Sequence, residues 1–247
     1  MRAFMKYTWT EIKLFLREPV GAFFTLAFPL MMLFLFGTIY GNEPSPYFNG
    51  YGTVDISVPA YTSMIIGTTG IMGLTITMSA YREKGILRRL RATPLRPQVI
   101  LAAQVVVIFL MTVLGMVLLI LAGKVVYGLR FDGNPFSIAV AFVLGSLSFF
   151  SLGFILAGVM PTARTGQVVG MAIFYPMLFL SGAGLPLEML PDGVRKFSNF
   201  LPLTHVVTLL RGLWIGEPWS QHTTEVIVLL SLLAIGVLVS SKTFRWE

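Results

Sequence analysis

No cysteine occurs among the 247 residues, so neither a disulfide framework nor a thiolate-held metal is available to this chain. Charge is nearly as scarce. Asp, Glu, Lys and Arg make up 12% of the residues, about half the share usual in a soluble domain, while 55% are hydrophobic. There are two histidines, His205 and His222, without a second His, Asp or Glu at a metal-ligand spacing, so no metal site is expected. A phosphate-binding loop is missing too: the one Gly-Lys pair, Gly123-Lys124, precedes Val125 rather than Ser or Thr. No nucleophile, base and acid stand together, because most serines lie in apolar stretches where a hydroxyl bonds its own helix's carbonyls. Hence no catalytic residue is expected, and the chain does not read as an enzyme.

What the sequence does contain is apolar runs of spanning length. Six candidate spans cover about 20–40, 60–80, 99–123, 136–160, 166–185 and 224–241, each long enough to cross a hydrocarbon core of roughly 30 Å as helix. The fold class expected is an all-α, multi-pass integral membrane protein, a single membrane domain over 1–247 with no internal repeat. The opening residues do not read as a cleavable signal: charges continue to Glu18, and the run from Val20 to Tyr40 is too long. The net charge of +7 would suggest nucleic acid as a partner in a soluble protein, but here the cations flank apolar spans. Thirteen fall in the N-terminal segment, the second and fourth loops and the tail, and five in the other connections. That asymmetry places both termini in the cytoplasm of a cell (inner or plasma) membrane.

Residues 1–19 have a pattern of their own. At 100° per residue Arg2, Lys6, Lys13 and Arg17 share a narrow arc, Phe4, Met5, Ile12, Phe15 and Leu16 a broad neighbouring one, and Trp9 the border. This predicts a helix lying in the interface with its cations towards lipid headgroups, against the alternative of an unstructured basic leader. Residues 186–223 are too apolar for a solvated loop, yet Leu203 to Ile215 would extend only about 20 Å. Two short re-entrant or interfacial helices in the outer leaflet are expected, one starting near Pro202.

The second span carries two small, weakly polar stripes, Thr62, Thr69, Gly73 and Thr77, and Thr68, Thr75 and Ser79. Close helix packing explains them, and so does a translocation wall in which Met64, Met72 and Met78 add adaptable contact. The same pair of readings holds for "FYPMLFLSGAG", residues 174–184, where Pro176 removes a helix hydrogen bond. The spans hold essentially no acid or base, with Glu83, Arg164 and Lys124 at their ends, which weighs against an ion-driven carrier or a channel.

The segment "YREKGILRRLRATPLRP", residues 81–97, holds six of the eighteen Lys and Arg residues. Arg82, Arg88 and Arg91 share a three-residue register, but the stretch is too short and too charged to be a voltage sensor. As a short helix it puts Ile86, Leu87 and Leu90 on one face and Lys84, Arg88 and Arg91 on another, and it stops before Pro94. That is an amphipathic peg rather than a bare topological signal.

On these residues the chain resembles the membrane subunits of ATP-binding-cassette type-2 exporters, in the subgroup of short drug, lipid or glycoconjugate exporters. Glu83, Lys84, Gly85, Leu90, Pro94 and Leu95 fit that family's loop loosely, with Gly85 early and Ile86 in place of Thr. The run "PMLFLSGAGLPLEMLPDGVRKFSNFLPLTHVVTLLRG", residues 176–212, is the stronger match. The resemblance implies the six-helix fold of the G-type exporters and a permease that exports an amphipathic, lipid-like or drug-like compound. It implies two cytoplasmic ATPase subunits that bind ATP and Mg, and a second permease copy, identical or similar. Residues 81–98, with Glu83, Lys84, Gly85, Ile86, Leu87, Arg88, Leu90, Arg91, Pro94 and Leu95, would be the coupling helix. Residues 1–19, with Lys6, Lys13 and Arg17, would be the connecting helix, and the second and fifth spans would line the path with Thr69, Met72, Gly73, Thr77, Phe174, Phe179 and Ser181. The competing reading from the residues is a membrane anchor or assembly subunit whose basic loop recruits a partner or anionic lipid.

Overall fold

The computed structural model describes residues 2–17, 19–86 and 97–243; they form helices and connecting loops, with no strand among them. Helix α1 is Arg2–Arg17. Helix α2 runs from Pro19 to Tyr40 through a π-helical turn at Phe23–Ala27. Helix α3, Thr53–Glu83, has a second π-helical stretch at Thr68–Leu74. Then come α4 (Pro97–Tyr127), α5 (Pro135–Val159), α6 (Ala163–Leu180), α7 (Asp192–Ser198), α8 (Pro202–Trp214) and α9 (Thr223–Thr243).

Local chemistry sets several of these ends. Pro135 and Pro202 stand in first turns, where a missing N–H costs nothing. Asn134 caps α5 by accepting from the N–H groups of Phe136 and Ser137, and Thr162 with Thr165 forms the capping box of α6. Gly85 closes α3 at φ +65°, a conformation that costs glycine no Cβ clash.

Among the described residues five helices are long and apolar enough to cross a membrane: α2 from Phe23, α3, α4 from Leu101, α5 and the segment Trp219–Lys242. The sequence predicted six. The fifth of them, α6, has 18 residues but opens with Arg164 and Gln167, which dilute its hydropathy.

Helix α3 is the axis of the bundle and packs against α2, α4, α5, α6 and α8. Its core partners include Phe142 and Phe149 of α5, Phe174 of α6, and Leu203, Val206, Val207 and Leu210 of α8. Helix α9 lies outermost against α5 and α8, with the Ser148 hydroxyl 2.8 Å from the Leu229 carbonyl. In the π-helical stretch of α3 the hydroxyls of Thr68 and Thr69 donate to the carbonyls of Met64 and Ile65, diverting acceptors from the regular ladder. The two π-helical turns touch each other, and α4 packs on both.

Candidate functional site

Three consecutive residues at the end of α3, just before the basic loop, fasten it to its neighbours. Tyr81 donates its hydroxyl to the Glu11 carboxylate of α1. The Arg82 guanidinium donates to the carbonyls of Ala157 and Gly158 at 2.8 and 3.1 Å, placing a cation at the negative end of α5. Glu83 accepts the N–H of Ala163 at 2.9 Å, placing an anion at the positive end of α6. These bonds join the end of α3 to α1, α5 and α6.

Of the loop residues singled out from the sequence, Glu83 and Lys84 are exposed, and Gly85 and Ile86 are half-buried. Leu87, Arg88, Leu90, Arg91, Pro94 and Leu95 lie outside the described residues. On α1, Lys13 is exposed and holds its ammonium 5.4 Å above the Trp9 ring, a cation–π contact. The side chains of Lys6 and Arg17 lie outside the described set.

Among the α1 side chains described, the buried ones are polar. Thr8 and Glu11 are 8% and 5% exposed, while Met5, Trp9 and Leu14 face outward. Glu11 Oε2 also accepts from the Gln104 amide of α4 at 3.4 Å. Neither Glu11 nor Gln104 was singled out from the sequence. The signal there was one acid at the edge of the apolar arc.

The candidate path residues divide between the interior and the open face. Thr69, Met72, Phe174 and Ser181 are buried, and Thr112 of α4 donates its hydroxyl towards Thr69 Oγ1 at 3.1 Å. Gly73 and Thr77 are half-buried on α3, and Phe179 is exposed on α6. Val168, Ile173 and Pro176 are also exposed on α6, and Ile76 is half-buried on α3.

At the opposite end of the bundle the expectation that the spans hold no acid fails. The second span was placed from about residue 60, but the helix begins at Thr53 and encloses Asp55 completely in its first turn. Asp55 Oδ1 accepts from Asn42 Nδ2 and the Arg130 N–H, and Oδ2 from the Gly52 N–H and Arg130 Nε, all at 2.9 Å. Asn42 Oδ1 in turn accepts from the N–H groups of Val54 and Asp55, capping α3 from eleven residues upstream of its first residue. Nearby, Tyr51 donates to Asp132 at 2.8 Å. That bond, with burial and the charges of Asp132 and Asp55, raises the phenol above its ordinary value against the pull of Arg130.

An open cleft of about 440 Å³ lies beside this network, lined by Glu188, Arg195, Asn199, Thr208, Arg211 and Glu217 among others. Glu188 pairs with Arg211 at 2.7 Å. Burial pushes the Glu188 carboxyl up, but the Arg211 hydrogen bond and charge, its own N–H and Arg195 outweigh this and hold it below 4.5. His222 lies between Glu217, 2.9 Å from Nε2, and Glu225, 3.9 Å from Nδ1. Among the described residues no group of three or more His, Asp or Glu is arranged to hold a metal ion.

The pattern of ABC-2 type transporters matches residues 2–214 of the chain. The chain belongs to the ABC-2 type transporter family. Putative transport permease YvfS of Bacillus subtilis is 22% identical over 99% of the chain and 98% of its own length. Daunorubicin resistance ABC transporter permease protein DrrB1 of Streptomyces coeruleorubidus is 24% identical over 98% of the chain and 86% of its own. Nodulation protein J of Rhizobium leguminosarum bv. viciae is 32% identical over 40% of the chain and 38% of its own. An ABC-2 protein is a multi-pass membrane transport subunit, and its family implies a separate ATP-binding subunit. The expected family is thus the one found.

Proposed function

We propose that the chain is the permease subunit of an ATP-driven exporter for an amphipathic, lipid-like or drug-like compound. The observation that carries this reading is the fastening at the end of α3 in an ABC-2 chain: Tyr81, Arg82 and Glu83 join the base of the basic loop to three other helices. A permease driven from outside needs such a rigid attachment, because force applied to the loop must reach the transmembrane helices. A drug-like cargo is supported by the resistance permease among its relatives.

In this reading α6 is the fifth of six spans, both termini are cytoplasmic, and the protein sits in the inner or plasma membrane. Residues 1–19 form the connecting helix, 81–98 the coupling loop and 186–223 the outer re-entrant segment. Two copies of the chain, or this chain and a similar one, pair through the open face of α3 and α6, and Gly73, Thr77 and Phe179 face the path. Thr69, Met72, Phe174 and Ser181 act from within, through the packing behind that wall. Two ATPase subunits hold ATP and Mg and grip the loop through Leu87, Leu90 and Leu95, with Lys84, Arg88 and Arg91 on the polar side.

The test is co-purification with the ATPase encoded beside it, followed by reconstitution. Leu90→Asp with Leu95→Asp should abolish both ATPase binding and ATP-driven export. Retained binding and export would overturn the docking of this loop, and export driven by an ion gradient without ATP would overturn the exporter reading itself.

A further inference from the structure

We infer that Glu11 is a positioning residue that locks α1 to both arms of the basic loop, so that α1 and the loop move as one lever. The inference rests on the exporter reading and deepens it. Glu11 lies 5% exposed beside a small apolar cluster of Leu74, Met78, Ile108, Phe150 and Ala157, against which Tyr81, Leu101 and Val105 pack. An ionisable group in such surroundings is costly and marks a functional position, because an apolar side chain would pack there more cheaply.

Its two hydrogen-bond donors are what give the position meaning. Tyr81 belongs to the last turns of α3, and Gln104 lies two turns into α4, so one carboxylate oxygen bridges the helix entering the loop and the helix leaving it. Helix α1 also packs against α4 and the start of α2, and its other buried side chain among those described is Thr8, whose hydroxyl has no partner. Gln104 Oε1 is likewise buried without a donor. Compared with Asp55, whose oxygens take four donors at 2.9 Å, the Glu11 joint is held by few bonds and depends on each of them.

The absence of cysteine makes the test direct. Spin labels are attached in the complete permease–ATPase complex through Leu14→Cys with Lys84→Cys, and through Leu14→Cys with Leu238→Cys; all three positions are exposed. On addition of a non-hydrolysable ATP analogue, the Leu14–Leu238 distance should shift, while the Leu14–Lys84 distribution stays narrow and unmoved. Glu11→Leu should broaden the Leu14–Lys84 distribution and reduce the coupling of nucleotide state to the Leu14–Leu238 distance about tenfold, within the range for residues that carry coupling. Glu11→Gln should restore both, because its oxygen still accepts from Tyr81 and its amide supplies the donor that Gln104 Oε1 lacks. Tyr81→Phe, which deletes a single hydroxyl, gives the same broadening if Glu11→Leu fails to fold. A Leu14–Lys84 distribution left narrow by both Glu11→Leu and Tyr81→Phe overturns the lever alone. No nucleotide-dependent shift of the Leu14–Leu238 distance in the labelled protein that keeps Glu11 and Tyr81 overturns the ATP-driven reading, and the lever with it.

Discussion

A Cβ atom placed on Gly153 of α5 would stand 2.1 Å from the carbonyl oxygen of Gly70 in the π-helical stretch of α3. The two backbones meet there without a side chain between them, and a backbone atom cannot rotate away. Gly153→Ala should therefore force α3 and α5 apart and cost about 1–3 kcal/mol, the usual range for overpacking. Gly73, three residues further along the same helix, meets only the Thr68 carbonyl at 3.8 Å. Within a single copy Gly73→Ala should be neutral, or stabilise by up to about 1 kcal/mol through helix propensity. Thermal unfolding of the two variants in detergent separates them, and equal losses would refute the contact argument.

Asp55 and Arg130 predict a second asymmetry. The Asp55 carboxylate is fully enclosed and its four donors come from Asn42, Gly52 and Arg130, which tie the first loop to the start of α3 and to the connection between α4 and α5. Asp55→Ala leaves those donors facing a void, and should cost about 3 kcal/mol or more. Tyr51→Phe removes a partly exposed bond to Asp132 on the same end and should cost about 1 kcal/mol or less. Limited proteolysis at the Asn42 to Gly52 loop, compared between the two variants, reads the difference. Equal cleavage rates would show that the Asp55 network does not hold that loop.

The helices were legible because a hydrocarbon core imposes a length on apolar runs that needs no knowledge of partners. Pro202 then marked a helix start by purely local chemistry. Asp55 escaped because the cap that extends α3 back to Thr53 is Asn42, a partner outside the helix that no local pattern announces. Glu11 sat at the edge of the apolar arc of α1 in plain view, but its meaning depends on Tyr81 and Gln104, 70 and 93 residues away. Phe174 and Thr69 were placed on one candidate surface from their own helices, whereas burial of each depends on the helix that covers it. Thr112 of α4 covers Thr69, and the Phe174 ring fills the space beside Gly67.

The Glu188–Arg211 pair makes stability at the cleft depend on pH. Glu188 is held below its ordinary 4.5 in the folded chain, so it contributes stability that is fully present above about 4.5 and is lost as pH falls through the folded value. Glu188→Gln removes that dependence. The unfolding midpoint of the parent chain should exceed that of Glu188→Gln at neutral pH, and the two should converge as pH drops below about 4.5. A gap that persists unchanged in acid would assign the effect to packing instead of charge.

The open face of α3 and α6 should be where two copies meet. Val168 and Phe179 are 61% and 51% exposed on α6, where Ile173 and Pro176 are exposed too, and Gly73 and Thr77 are half-buried on α3, which packs against α6. Exposed apolar residues occur on α9 as well, such as Ile235 at 58% and Leu238 at 63%, and lipid suits them equally well. Exposure alone thus does not separate the faces; the small residues Gly73 and Thr77 do, because close approach of backbones is what drives helix association in a membrane. With no native cysteine to confuse the result, Phe179→Cys and Val168→Cys should give disulfide-linked dimers in membranes under mild oxidation, and Ile235→Cys and Leu238→Cys should not. Dimers linked only through the α9 positions would move the interface to that helix, and would remove Gly73, Thr77 and Phe179 from any path between two copies.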